Sequence, residues 1–183
     1  MRLFAHRLFG RRTKRRTGFL ADQRGALAIE FAILALPFFA LVGAIIETAE
    51  VFLGSQLLDS AVQDASRLVR TGQAQGNSPP YTISDFRNAV CDHLFGLFNC
   101  DNLEIKVSTV TDFADATASV PATPADLAAW TGYEPGTGSS IVMVQVYYKW
   151  PVILNFGGFS LATSSDGTHL MGAVRVFENE PFS

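Results

Sequence analysis

Arg24-Gly25-Ala26-Leu27-Ala28-Ile29-Glu30-Phe31 opens an apolar run that continues to Ile46. From Ala26 to Ile46 there are 21 residues, and Glu30 is the only charge among them. At about 1.5 Å per residue, a helix of that length covers roughly 30 Å, the thickness of a hydrocarbon core. A secretory signal has a shorter apolar core, about 7–15 residues, ending at a small-x-small site. This run is too long for one, so it reads as a single membrane span. A carboxylate near the start of such a span is costly, and Glu30 therefore asks for a reason. Two are open: the side chain snorkels to the headgroups, or it pairs with an amine, which lowers the cost of burying either charge alone.

The flanks of the run differ in charge. Eight of the 14 basic residues (Arg2, Arg7, Arg11, Arg12, Lys14, Arg15, Arg16 and Arg24) precede Gly25, opposed only by Asp22. Beyond Val51 there are six basic residues against 13 acidic ones, a net of −7 that the overall −3 conceals. A basic block beside a hydrophobic span marks the cytoplasmic flank, because positive residues resist translocation. This reading is preferred to a nucleic-acid tail, and no nucleic-acid partner is expected. Arg15-Arg16-Thr17-Gly18-Phe19-Leu20 has one residue too many for a twin-arginine signal. The expected organisation is a basic cytoplasmic leader over 1–25, a transmembrane helix over 26–46, and a periplasmic domain over 47–183.

Helical periodicity continues past the span. Leu58, Ala61, Val62, Ala65, Leu68 and Val69 recur at helical spacing between polar residues, which predicts one helix from about Leu27 to Val69. Thr71-Gly72 then opens a polar loop through Pro79-Pro80. A second amphipathic helix is expected around Ser84 to Leu97, with Thr82-x-x-Asp85 as its N-terminal signal. Leu103 to Thr109 alternates as a half-buried strand. Residues 111–140 read as a long loop, with a helical turn near Pro124 to Trp130. Ile141 to Trp150 is the strongest strand, since Val142, Val144, Val146, Tyr148 and Trp150 share one face. Turn material follows at Asn155-Phe156-Gly157-Gly158 and at Ser164-Ser165-Asp166-Gly167, and then a strand from His169 to Phe177. The fold class is α+β: a long N-terminal helix and a second helix packed on a small antiparallel sheet.

Cys91 and Cys100 form an even pair in the part assigned to the oxidising side, where a disulfide persists. Zinc binding would need more ligands than Cys91, His93 and Cys100 supply, and free buried thiols are the third option. If the bond forms, the second helix must end before Cys100. Nine residues of helix would separate the two Cα atoms by about 13 Å, where a disulfide needs about 7 Å or less. No phosphate loop, nucleophile elbow, metal-binding helix motif or dinucleotide fingerprint is present in the sequence. Neither catalysis nor a cofactor nor a small-molecule substrate is expected.

Several segments together carry a family resemblance. Arg24-Gly25-Ala26-Leu27-Ala28-Ile29-Glu30-Phe31, the apolar run with Pro37, then Glu47 and the helix Gln63 to Ala74 resemble the TadE-type pseudopilins of the tight-adherence (Tad) pilus system, which assembles Flp-type fibres. The cysteine pair, the apolar strands and the closing Phe177 to Phe182 are similar more loosely. The resemblance implies a pilin-like fold and a prepilin peptidase that cuts after the glycine of a Gly-x-x-x-x-Glu-(Phe/Tyr) signal. By position, Gly25 is the last leader residue, Ala26 the mature N-terminus, Glu30 the acidic determinant and Phe31 its aromatic neighbour. The leader is long and heavily basic for such a signal.

The implied role is that of a minor pseudopilin in the bacterial inner membrane, acting in pilus assembly, secretion and cell adhesion. Its partners would be the peptidase, inner-membrane lipid, and other pilus assembly proteins or pilin subunits. Ala28, Ala32, Ala40 and Ala44, at four-residue spacing interrupted by Leu36, are the candidate helix-packing positions. The competing reading is an unprocessed single-span anchor whose periplasmic domain senses or binds a ligand, its pocket formed by residues 111–140.

Overall fold

The structure is a computed structural model that describes residues 25–76, 79–118, 120, 124–156 and 158–182. The basic leader before Gly25 lies outside the described residues. Two compact units divide the chain, Met1–Val42 and Gly43–Ser183.

Helix α1 is Ala26–Arg70, within a residue of the sequence expectation at each end. Its buried positions begin at Glu47 and recur as Val51, Gly54, Leu58, Ala61, Val62, Ala65, Ser66 and Val69. Steps of three and four residues keep them on one stripe of a 3.6-residue helix. Arg67 and Arg70 in the last turn face the negative end of the helix dipole. Gly72, at φ 75°, then takes the left-handed conformation that ends the helix, and its N–H is bonded to the Val69 carbonyl. The polar loop expected next contains one short helix, α2, Gln73–Gly76.

Helix α3 is Ile83–Cys91, shorter than the expected span to Leu97. Its start carries the full capping box: the Thr82 hydroxyl accepts from the Asp85 N–H, and the Asp85 carboxylate accepts from the Thr82 N–H. Bonds from the Thr82 hydroxyl, at 2.7 Å, and from the Thr82 N–H hold the Asp85 carboxyl below its usual range. After Cys91 the backbone tightens into turns, with the His93 and Leu94 N–H groups on the Val90 and Cys91 carbonyls, and positive φ at Phe95 and Gly96 keeps any helix from reaching Leu97. Phe86, Val90 and Leu94 are fully buried, whereas Leu97 is exposed. The early stop also lets Cys91 and Cys100 bond, at a Cα separation of 6.0 Å. Closing so short a loop contributes about 2.5 kcal/mol on the chain-entropy estimate. The double variant Cys91→Ala/Cys100→Ala should therefore melt about 5–10 °C lower in detergent.

Four strands form the main sheet: β1 Leu103–Val110, β2 Gly132–Tyr133, β3 Ile141–Pro151 and β6 Thr168–Glu178, in the order β2-β1-β3-β6. The pair β4 Asn155–Phe156 and β5 Phe159–Ser160 makes a separate hairpin between β3 and β6. β1 and β3 are antiparallel from Leu103↔Tyr148 to Val110↔Ile141, and β3 and β6 from Ile141↔Glu178 to Pro151↔Thr168. β2 corrects the expected all-antiparallel sheet. It pairs parallel with β1 at Lys106↔Gly132 and Val107↔Tyr133, so the sheet is mixed. The connection from β1 to β2 includes helix α4, Pro124–Ala129, the kind of crossover that parallel neighbours require.

One face of the sheet, with Leu103, Ile105, Val107, Val142, Val144 and Val146 buried on it, joins the stripe of α1 and the apolar side of α3 in a single core. On the other face Met143, Gln145 and Tyr147 are also buried. There Trp130 packs against Tyr147 with ring centroids 5.3 Å apart, and Lys106 lies 5.2 Å from the Trp130 ring. Gly172 permits this packing, since a Cβ there would lie 2.8 Å from the Tyr147 ring carbon Cδ1. Trp130 and β2, within the segment expected to be a loop, therefore lie against the sheet. Burial, with the Asp85 and Tyr81 charges behind it, pushes the Tyr133 phenol up to about 12.

The chain's end acts as a strap. The Asn179 side-chain amide, buried to 2 % exposure, donates to the Pro135 and Thr137 carbonyls, each at 3.0 Å. The N–H groups of Asn179 and Glu180 donate to the carbonyls of Ser140 and Arg70. Phe182 then covers Gly72, where an added Cβ would lie 2.6 Å from its ring. This strap ties the end of α1 to the turn before β3.

Candidate functional site

The first turn of α1 sets the geometry of the proposed signal. The Gly25 carbonyl accepts the Ile29 N–H at 3.2 Å, so the helix begins directly after the glycine. Gly25, Ala26, Glu30 and Phe31 are all exposed. Glu30 stands one turn beyond Ala26, about 6 Å along the axis. The structure thus keeps these four residues together on one accessible stretch of about a turn and a half.

From there α1 is bare and apolar. Leu27 is 73 % exposed and Phe31 69 %, while Leu58, farther along the same helix, is 0 % exposed. Ile29, Ile33, Leu34, Leu36, Phe38, Phe39 and Leu41 are likewise exposed. A soluble chain rarely leaves so continuous an apolar surface in water. Phe31, Leu34, Ala35, Phe38 and Phe39 line a shallow apolar groove there, with the last two rings edge to face at 5.4 Å. Pro37 lies inside the helix. Lacking an N–H, it leaves the carbonyl four residues back without its helical donor. A neighbouring helix or a local adjustment must satisfy that group in lipid.

The four alanines fall into two pairs. At about 100° per residue, steps of four drift by about 40°, so Ala28 and Ala44 end up on nearly opposite sides of a regular helix. Ala28 and Ala32 lie close to one face, and Ala40 and Ala44 to another. They do not form one seam.

Residues 25–67 match the family model described as TadE-like protein. The TadE-like segment thus takes in Gly25, the bare helix and most of the buried stripe. Together with the apolar helix, the match fits a membrane-anchored component of the Tad pilus system. No curated protein and no solved structure matches the chain.

Within the TadE-like segment, sequence reasoning gave no structural role to Glu47. It is 5 % exposed, and its Oε1 accepts the N–H groups of Ile153 and, at 3.0 Å, Leu154. Its second oxygen is buried without a hydrogen-bond partner among the described residues. A polar cleft farther along was also not foreseen. Ser66, Arg67, Arg70, Arg175, Phe177 and Glu180 are among the residues lining a cavity of about 560 Å³. Arg175 there bonds the Asp59 carboxylate and, at 3.3 Å, the Asp59 carbonyl, which ties β6 to α1. Nothing in the spacing of these residues announces the cleft, because β6 and α1 are far apart in the sequence and meet only in the fold. Among the described residues no group of three His, Cys, Asp or Glu is placed to hold a metal ion. Cys91 and Cys100 bond each other.

Proposed function

We propose that this chain is a minor pseudopilin, anchored in the bacterial inner membrane, that assists assembly of Flp-type pili through protein contacts. The observation that carries the reading is the bare apolar helix that starts directly after Gly25 and bears one acid, Glu30, a turn inside. Residues 1–25 are the cytoplasmic leader, 26–46 the span, and 47–183 the periplasmic domain. A prepilin peptidase cuts after Gly25. The new amine on Ala26 then pairs with a Glu30 carboxylate of a neighbouring subunit, and the groove and alanine patches receive partner helices. The excess of basic residues before Gly25 supports this orientation, and the Cys91–Cys100 bond suits an oxidising compartment. The chain does its work by association, without chemistry of its own.

Intact-mass measurement of protein extracted from membranes tests the processing step. With the cognate peptidase co-expressed, the mass should fall by that of residues 1–25. A full-length mass under those conditions would overturn the cleavage.

A further inference from the structure

From Trp150 to Ser165 there are sixteen residues without an Asp, Glu, Lys or Arg. The charges that bound this run, Lys149 and Asp166, pair with each other at 3.0 Å across its neck. Threonine hydroxyl and lysine bonds hold the Asp166 carboxyl down to about 2, so the neck stays charged at any physiological pH. Between those charges the chain extends past the end of the sheet and folds into the β4–β5 hairpin. Ile153 is 82 % exposed and Phe159 47 % exposed. Water is a poor environment for two such side chains on one short loop.

Contacts along α1 show where the loop lies. Gly54 sits under Trp150 and Met171, where a Cβ would lie 3.3 and 3.1 Å from their side chains. Glu47, two turns nearer the span, holds the Ile153 and Leu154 amides. Gly43, another turn on, lies against Leu154, whose Cδ1 would be 3.1 Å from an added Cβ. The loop therefore runs down α1 toward the span as the helix numbering falls. Gly43 is three residues inside the apolar run that ends at Ile46, so Leu154 lies about 4.5 Å below that boundary. The polar margin of a bilayer is about 5–7 Å deep on each side. Backbone amides at that depth need an internal acceptor, because lipid supplies none. Glu47 is that acceptor, through its Oε1.

We propose that residues 152–156 and 158–161 form a second membrane contact, with Ile153 and Phe159 inserted into the same leaflet from which α1 emerges and Glu47 holding the loop at that depth. The contact fixes the domain's orientation on the membrane, which a single helix leaves free to rotate. It rests on the reading that α1 crosses the bilayer.

The test uses the full chain, purified and reconstituted into vesicles of phosphatidylethanolamine and phosphatidylglycerol. The vesicles also hold a lipid carrying a photoactivatable diazirine close to the glycerol end of its acyl chain. Peptide mass mapping after illumination should find adducts within 26–46 and also within 152–161, the latter several-fold above those in 111–118. Ile153→Asp with Phe159→Asp should remove the second set and keep the first. Adducts on 26–46 with none above background on 152–161 would overturn the second contact and spare the anchor. Absence of adducts on 26–46 would overturn the anchor, and the contact with it. Since no other protein is present, labelling of 152–161 that the double variant retains would also count against the proposal.

Discussion

Gly25→Val is expected to stay at full length beside an active prepilin peptidase, whereas Glu30→Ala should be cut and then fail in assembly. The two effects separate because the residues act at different steps. A protease must reach an extended backbone at the bond it cuts, and glycine imposes no side-chain barrier there. The Gly25 carbonyl is engaged by the Ile29 N–H in the first turn of α1. Cleavage therefore requires that turn to fray, which helix ends do at little cost. Valine adds a branched Cβ at that point, narrowing the backbone's freedom and crowding the carbonyl. Cleavage places a new ammonium on Ala26 at the positive end of the helix dipole, an unfavourable position. In the proposed assembly the Glu30 carboxylate of a neighbouring subunit offsets it, since within one helix the two groups stand about 6 Å apart along the axis. Removing one partner of a buried charge pair costs about 3–5 kcal/mol, more than a hundredfold in association. Intact mass and recovered fibre should read these steps separately. A shortened Gly25→Val chain would remove the glycine requirement, and normal fibre from Glu30→Ala would remove the charge pair.

The same local economy explains what the sequence made legible. An apolar run and its one acid are contiguous, so their cost can be reckoned before any fold is known. The buried stripe from Val51 to Val69 and the alternation of β1 and β3 are likewise short-range patterns. The capping box of α3 needs only four residues. Where an element depends on distant partners, the pattern disappears. β2 is two residues long and has no period to detect. Its parallel pairing follows from Trp130 and Leu127 finding burial and from the crossover through α4, neither of which composition announces. The apolar spacing of α3 runs on through Leu97, yet the helix ends at Cys91 and positive φ at Phe95 and Gly96 bars its extension.

The candidate site divides in the same way. Gly25 and Glu30 lie five positions apart and can be read together. Glu47 meets its partners 106 and 107 positions away, and those partners are backbone amides, which every residue but proline has. The only sequence trace of that arrangement is the uncharged stretch from Trp150 to Ser165, which reads by itself as turn material. Its meaning depends on which end of α1 it touches.

Asn179→Asp should be the most damaging single-atom exchange in the unit Gly43–Ser183. The Asn179 amide nitrogen donates to two carbonyls, Pro135 and Thr137, and the residue is almost wholly buried. Aspartate replaces that donor with an oxygen facing two other oxygens. Either it remains ionised without a partner, or it takes up a proton that can serve only one of the two. Burying a charge unpaired, or losing two bonds while gaining repulsion, costs about 3–5 kcal/mol. Asn179→Ala is milder, about 2–3 kcal/mol, because it removes the donor without adding a charge. Pro135 keeps its bond from Gln75 at 3.0 Å and Thr137 its bond from the Ser140 N–H at 3.2 Å, so alanine leaves each carbonyl with one donor. For a chain of this length each kcal/mol lowers the melting point by about 2–4 °C. Thermal unfolding in detergent should therefore rank wild type above Asn179→Ala above Asn179→Asp, with the last at least about 6 °C below the first. The aspartate variant should recover part of its loss as pH falls, because protonation removes the buried charge. Equal melting points for all three would mean that the strap from Asn179 to Phe182 does not hold the end of α1 to the sheet.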